Sequence, residues 1–407
     1  MTAPRDEERF ARTALSCVTD PGDPVLGALL RACSPAEVLA AICAGRAPES
    51  LPDPGTGIAG TGVPGTGVPG SGAPGTGIPP AIRGLPRALE RWAARLGSVP
   101  TESRIAAWYR AGIRLVCPGD PEWPTELDVL GDARPVMLWV KGDADLRYAC
   151  VRSVSVVGAR AATSYGSHVC AEMTATLAER GWTIVSGGAY GIDSGAHRAA
   201  LAARGTTIAV LASGLSYGYP RGHHELFEAI AAGGALVSES PPDRAPSRPG
   251  FLIRNRVIAA ASRGTVVVEA ALRSGALSTA RHAAELCRPL MAVPGPVTSE
   301  LSAGCHEIIR NTGAVLVTDA HDVIEVISPA GEGLAEPRRG PGRPRDGLDA
   351  QTTAVLEAIP ARGGCGPAQI AVKAGVGLDT AMRCLGELAA AGFIERSASG
   401  WRVRRKR

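Results

Sequence analysis

Between residues 153 and 320, seven apolar runs recur at intervals of about twenty to thirty residues: SVSVVG, TIVSG, TTIAVLAS, ALVSE, TVVVEA, PLMAVPG and AVLVTDA. Such runs lack the alternation of a strand with one wet face, so both faces must be covered. Helical patterns fill most of the gaps between them. Apolar strands alternating with helices predict a parallel sheet with right-handed crossovers, and ligands outside the carboxyl ends of its strands. The fold class that follows is α/β, an extended Rossmann-like parallel-sheet domain over residues 151–327.

The flanks read differently. Residues 1–50 carry ERFARTALSCV, PVLGALLRAC and SPAEVLAAICAG, with apolar side chains at helical spacing and Ser34 placed as an N-cap. They predict a small helical module of the SAM or helix-hairpin-helix kind. Residues 51–82 hold the pentad repeat PGTGI AGTGV PGTGV PGSGA PGTGI, whose glycine and proline density forbids helix and ladder alike and predicts a disordered linker. A helical and loop-rich lead-in over 83–150 ends near the strand PVMLWVKG. After a basic linker over 328–346, residues 347–407 predict three helices and a basic strand, the outline of a C-terminal winged helix.

Charge says little until it is placed. The net charge is only +4, and just three of the 43 basic residues are lysine, Lys141, Lys373 and Lys406, a bias of the kind GC-rich coding produces. The C-terminus is where basic residues gather: Arg338, Arg339, Arg343 and Arg345 in the linker, then Arg402, Arg404, Arg405, Lys406 and Arg407. They predict a secondary, backbone-directed role in nucleic-acid binding. None of the ten cysteines forms a CxxC, and the closest two, Cys33 and Cys43, are ten residues apart, so a zinc site is not expected. The adjacent His223 and His224 lack a third ligand at metal spacing. With no signal-peptide core and no apolar run long enough to span a bilayer, the expected location is a reducing cytoplasm.

The turn TIVSGGAYGID, residues 183 to 193, stops a strand at glycines and opens a helix, which aims backbone amides at one point and attracts an anion. A dinucleotide would need G-x-G-x-x-G and an acidic residue about twenty positions on, and neither is present. No Gly-Lys-Ser/Thr occurs, which excludes a P-loop. Instead, GAR at 158–160, SGGAYGID at 186–193, PRGH at 220–223, FLIRNR at 251–256 and RSGAL at 273–277 each follow a strand or open a helix. Several phosphate cradles along one sheet edge suit a polymer whose phosphates repeat, so the expected ligand is a strand of nucleic acid.

SVVGAR, VSGGAYGID, AVLASGL, YPRGH, FLIRNRVIAA, VVVEAALRSGAL and VPGPVTSELSAGCHEII, in that order over residues 153 to 320, resemble the DNA-processing protein A family (DprA, also called Smf). The resemblance implies a non-enzymatic homodimer, without cofactor or metal, that binds and protects single-stranded DNA. It also implies loading of the RecA recombinase in natural transformation. Carried over residue by residue, it marks Gly158 and Arg160 of the first turn and Ser186, Gly187 and Gly191 of the second. It further marks Phe251, Arg254, Asn255 and Arg256 of FLIRNR, and Ser274 with Gly275. Arginine offers phosphate charge and a planar stacking face, Phe251 a ring for a base, and the glycines close backbone approach. Two departures stand out: Tyr190 where the family commonly has arginine, which removes one phosphate contact or exchanges it for stacking, and Gly188 in place of a usual leucine, which is expected to loosen the turn.

Three rivals remain. A nucleoside-monophosphate phosphoribohydrolase of the related nucleotide-binding superfamily would rely on Glu269 as its only obvious carboxylate, although its P-G-G-x-G-T turn is absent. A nuclease would need clustered carboxylates, whereas Asp193 and Glu239 are isolated and Asp193 reads as a helix cap. In a transcriptional regulator, the winged helix would read duplex DNA.

Overall fold

The computed structural model describes residues 4–51, 84–333, 344–361 and 363–404. The pentad repeat at 54–78 lies outside these, as do Arg338, Arg339, Arg343, Arg405, Lys406 and Arg407. The chain divides into two compact units, Met1–Ala335 and Glu336–Arg407.

The first unit is built on nine strands: β1 Ile113–Val116, β2 Leu138–Lys141, β3 Ser153–Val157, β4 Thr183–Ser186, β5 Thr207–Leu211, β6 Ala235–Ser238, β7 Thr265–Val267, β8 Leu290–Ala292 and β9 Val315–Leu316. Their order across the sheet is β1-β2-β6-β5-β4-β3-β7-β8-β9. All seven apolar runs became strands, and β3 through β9 pair in parallel. The lead-in adds β1 and β2, which extend the sheet antiparallel beyond β6. β1 was not expected within the helical and loop-rich lead-in. Gly112 at φ 77° turns the chain out of the helix Glu102–Arg110, and pairing with β2 makes the next residues a strand.

Alternation along the buried strands fills two cores. Val154, Val156 and Ile184 pack with Met173 and Leu177 on one face, while Val157, Val185 and Val210 pack with Val257 and Ile258 on the other. From β3 the chain winds outward to β6, then returns to lay β7 on the opposite side of β3. That reversal leaves a crevice at the carboxyl ends of β3 and β7, where α/β folds hold ligands.

Four helices, Pro4–Val18, Pro24–Ala32, Pro35–Ala44 and Leu85–Ala93, close around Leu15, Leu29, Ile42 and Trp92. Ser34 caps the third of them with a full capping box to Glu37. This module is fastened to the sheet: Arg12 donates to the Val136 carbonyl at 2.9 Å, Arg9 pairs with Asp120 at 2.8 Å, and Arg244 donates to the Cys17 carbonyl at 2.8 Å.

In the second unit, helices Ala350–Ala358, Pro367–Ala374 and Leu378–Ala390 enclose Val355, Ile370, Leu385 and Leu388. They are followed by an antiparallel hairpin, β10 Ile394–Ser397 and β11 Gly400–Val403. Although LDTAMRCLGELAAAGFIER keeps a helical pattern throughout, the chain turns at Gly392, φ 76°, and Ile394 opens the first strand. Among the described residues no single helix is long and apolar enough to cross a membrane.

Candidate nucleic-acid interface

Two turns meet at the crevice. The Ala159 amide donates to the Glu269 carbonyl at 2.7 Å, and the Ile192 amide donates to the Ala159 carbonyl at 3.1 Å, tying the ends of β3, β4 and β7 together. Gly158 and Gly191 permit this contact. A Cβ on Gly158 would lie 2.6 Å from Ile192 Cγ1; one on Gly191, at φ 77°, would lie 2.2 Å from the Ala159 carbonyl oxygen. The crevice has a volume of about 470 Å³ and is lined by Gly158, Arg160, Phe251, Arg254, Ser274 and Gly275 among others, so residues expected from three separate motifs converge there.

At its mouth, cations and rings form a file. The exposed Arg160 guanidinium sits 5.2 Å over the Phe251 ring, and Phe251 in turn lies 5.8 Å from Tyr219. Tyr190 packs edge-on against His223 at 4.4 Å and remains 52% exposed. Beyond them Arg221 lies 5.8 Å from the centre of the Tyr217 ring. Arginine and aromatic faces at this spacing offer phosphate charge beside surfaces on which unpaired bases stack.

Several marked residues lie inside the protein instead. Ser186 is fully buried and donates to the Val156 carbonyl at 2.6 Å. Arg254 is buried beneath the second turn, donating to the Gly187 carbonyl at 2.6 Å and to the Val210 carbonyl. Burial lowers its guanidinium to about 10, against the opposing pull of the Asp193 charge. Asp193 is buried too, which raises its carboxyl, although Arg254 and the amides of Ala189 and Gly158 favour its charged form. A side chain on Gly187 would strike both Asp193 and Arg254. Thus Arg254 props the second turn from below while one edge still reaches the crevice wall.

Asn255 accepts from Arg254 Nε and donates to the Gly275 carbonyl at 3.2 Å, which aligns the arginine helix Arg248–Ala260 with the Ser274–Gly275 turn. Ser274 accepts from the Ala276 amide at 3.3 Å. Arg256 points away from the crevice into a buried pair with Glu239 and donates to the Ala133 carbonyl at 2.9 Å. Its expected phosphate charge is therefore spent inside the fold.

Gly188, at φ 75°, adopts a backbone state that favours glycine, and a Cβ there would press on Leu211 and Phe227. The turn is fixed rather than loose, since His223 Nδ1 lies 3.1 Å from the Gly188 carbonyl oxygen. Asp193 sits inside the first turn of helix Ile192–Ala202, where its carboxylate also receives the Ala189 amide at 3.4 Å. Glu269 is 2% exposed, and both its oxygens are engaged by Thr163, through the amide at 2.9 Å and the hydroxyl at 2.6 Å.

Tyr217, Tyr219 and Arg221 were not among the marked residues. YPRGH carried the signal for Tyr219 and Arg221, whose cation was noticed but whose ring was not, while Tyr217 lies two residues before it. Ring exposure is set by the loop's tertiary anchoring, which periodicity does not carry.

Residues 114–328 match the sequence family described as DNA recombination-mediator protein A. A Mycobacterium tuberculosis sequence described as a DNA processing protein DprA is 46% identical over 306 residues, 73% of this chain and 78% of its own length. Protein Smf of Escherichia coli is 42% identical over 239 residues, 58% of this chain and 63% of that one. The X-ray structure of DNA processing protein A from Streptococcus pneumoniae aligns with a TM-score of 0.54 at 35% identity, covering 60% of this chain and 83% of that one.

Proposed function

This chain belongs to the DNA recombination-mediator protein A family, and we propose that it binds single-stranded DNA across the carboxyl ends of β3, β4 and β7. The observation that carries this reading is the Arg160 guanidinium set over the Phe251 ring at the mouth of the crevice. Charge alone would suit any anion and stacking faces alone any planar ligand; alternating the two fits a strand with repeating phosphates and unpaired bases. In this reading the protein acts in the cytoplasm as a homodimer, shields the strand and passes it to a RecA recombinase, with no bond made or broken.

The test is fluorescence anisotropy of the full chain with labelled single-stranded DNA, duplex DNA and RNA of one length across a salt series. Tightest binding to single-stranded DNA is expected. If the exposed Arg160, Arg221 and Arg273 each meet one phosphate, the slope of log affinity against log salt is about −2. A preference for duplex, or an affinity indifferent to salt, would overturn the proposal. The phosphoribohydrolase alternative gains a volume from the crevice but loses its acid, because Glu269 is buried and fully engaged. Release of free base from nucleoside monophosphates would revive it.

A further inference from the structure

We infer that the loop after β5 extends this surface as a two-ring stacking platform, Tyr217 and Tyr219, so that the bound strand continues beyond the crevice toward the end of β5. The inference rests on the single-strand reading above and adds a direction and a second contact region to it.

All six tyrosines of the chain are at least 38% exposed, so position rather than exposure marks a ring as useful. Here Tyr217 is 38% and Tyr219 42% exposed, and with Tyr190 they make three of the chain's six tyrosines. Each is supported by one neighbour: Tyr219 by Phe251 at 5.8 Å and Tyr217 by Arg221 at 5.8 Å. Through Phe251, Tyr219 is continuous with Arg160 at the crevice mouth, and Tyr217 stands two residues before Tyr219 in the same loop. Among the described residues neither Arg160 nor Arg221 has a carboxylate within ion-pair distance, which leaves their charge for a polyanion.

The loop is also held rigid. The Gly214 amide donates to the Arg244 carbonyl at 2.8 Å, the Ser216 amide to the Pro242 carbonyl at 2.9 Å, and Ser238 Oγ to the Ser213 carbonyl at 2.9 Å. The fit is close enough that a Cβ on Gly214 would lie 2.0 Å from the Pro241 carbonyl oxygen. Behind it, the Arg244 side chain reaches the Cys17 carbonyl near the end of helix Pro4–Val18, so the N-terminal helical module braces the segment that pins the tyrosines. Rings fixed in advance stack on bases without an ordering cost at the moment of binding. Paired bases cannot use such a platform, because their faces are already stacked within the duplex.

The experiment measures binding of oligothymidylates of graded length to the full chain and to its Tyr217→Ala/Tyr219→Ala variant. Long oligomers are expected to bind the variant about tenfold or more weakly, with the salt slope unchanged. The shortest oligomers that bind are expected to show no loss, because they fill the crevice alone. The Tyr217→Phe/Tyr219→Phe variant retains the rings and is expected to match the wild type at every length. Equal affinities for the alanine variant and wild type at all lengths would overturn the platform while leaving the single-strand reading in place. A loss equal at all lengths, or a lowered melting temperature accompanying it, would also overturn the extension, placing the rings in the primary site or the fold. A wild-type chain that binds no single strand would overturn the underlying reading instead.

Discussion

Arg256 and Glu239 hold each other in a two-pronged ion pair, each Nη atom 2.6 Å from a carboxylate oxygen and each side chain 7% exposed. The backbone of Gly22, at φ 69°, passes directly over the same guanidinium: a Cβ there would lie 2.8 Å from Arg256 Nε. The pair therefore sits where the N-terminal module, the Ala133 carbonyl and the sheet meet. Removing one partner of a buried pair strands the other charge, at a cost of about 3–5 kcal/mol. Arg256→Ala is expected to lower stability by that order in denaturant melts and to leave the salt slope of DNA binding unchanged in the protein that stays folded. A stable variant with a flatter slope would return Arg256 to the DNA surface.

Arg160 is the opposite case, an exposed guanidinium over the Phe251 ring with no ion pair among the described residues. Arg160→Ala is expected to leave the melting temperature within a degree or so and to make the salt slope shallower by about 0.7, the share of one phosphate on a single strand. An Arg160→Lys variant keeps the charge but not the planar face. It is expected to restore the slope and only part of the affinity. Anisotropy titrations at several salt concentrations separate the two effects.

Tyr190 stands in the turn proposed to meet a phosphate but brings a ring, edge-on to His223 and half open to solvent. If it stacks on a base, Tyr190→Ala is expected to weaken binding by about 1–3 kcal/mol without altering the salt slope. Tyr190→Arg is expected to steepen the slope. Wild-type affinity in the alanine variant would reduce Tyr190 to a cover over His223.

The strands were legible because each is a short apolar run whose covering on both faces leaves no other pattern. The turn glycines were legible too, since a strand stopping at glycine before a helix has few uses. β1 escaped because IRLV continues the period of the helix before it, and only pairing with β2 decides its state. FLIRNR gave away its charges but not their fates. Arg254 and Arg256 are two residues apart on one helix, yet one lies beneath the crevice and the other turns to Glu239, partners distant in sequence. The tyrosine loop was hidden for a related reason: what exposes its rings is a set of backbone contacts to residues 241–244.

His197 is fully buried on helix Ile192–Ala202, the helix whose N-terminus forms the second turn. Its Nδ1 is 2.7 Å from Thr207 Oγ1, whose own proton goes to the Ile184 carbonyl, so Nδ1 carries the hydrogen and the ring is neutral. Burial pushes its pKa down to about 3 from the usual 6.5. The unfolded chain takes up a proton below about 6.5 while the folded chain does not, so this contribution is complete above that pH. It is lost at about 1.4 kcal/mol per pH unit as the pH falls toward 3. His197→Gln is expected to be less stable at pH 7.5 but to show a shallower decline between pH 6.5 and 4 in denaturant melts. An acid limb identical to wild type would mean that other groups control it.

Every side chain assigned to the DNA surface, from Gly158 to Gly275, lies in the first compact unit, Met1–Ala335. In the second unit Arg383 pairs with Glu387 at 2.8 Å and Arg402 with Glu395 at 2.6 Å, while the exposed Lys373, Arg396 and Arg404 show no ion pair among the described residues. The helix Leu378–Ala390, which would enter a groove if this unit reads duplex DNA, instead exposes Leu378 and Met382, 51% and 52% open, beside Asp379. The one cation on that helix, Arg383, is already paired with Glu387, so this face contributes little to phosphate binding, whose strength follows the number of charges neutralised. Truncation after Ala335 is therefore expected to leave affinity for single strands within about threefold and its salt slope within about 0.7, one phosphate contact. Whatever affinity the full chain has for duplex is expected to fall further than that, because the basic residues near the C-terminus go with the truncation. A loss on single strands greater than tenfold would place part of the primary site in the second unit. Unchanged affinity for both ligands would leave that unit, with its exposed leucine and methionine, as a surface for protein.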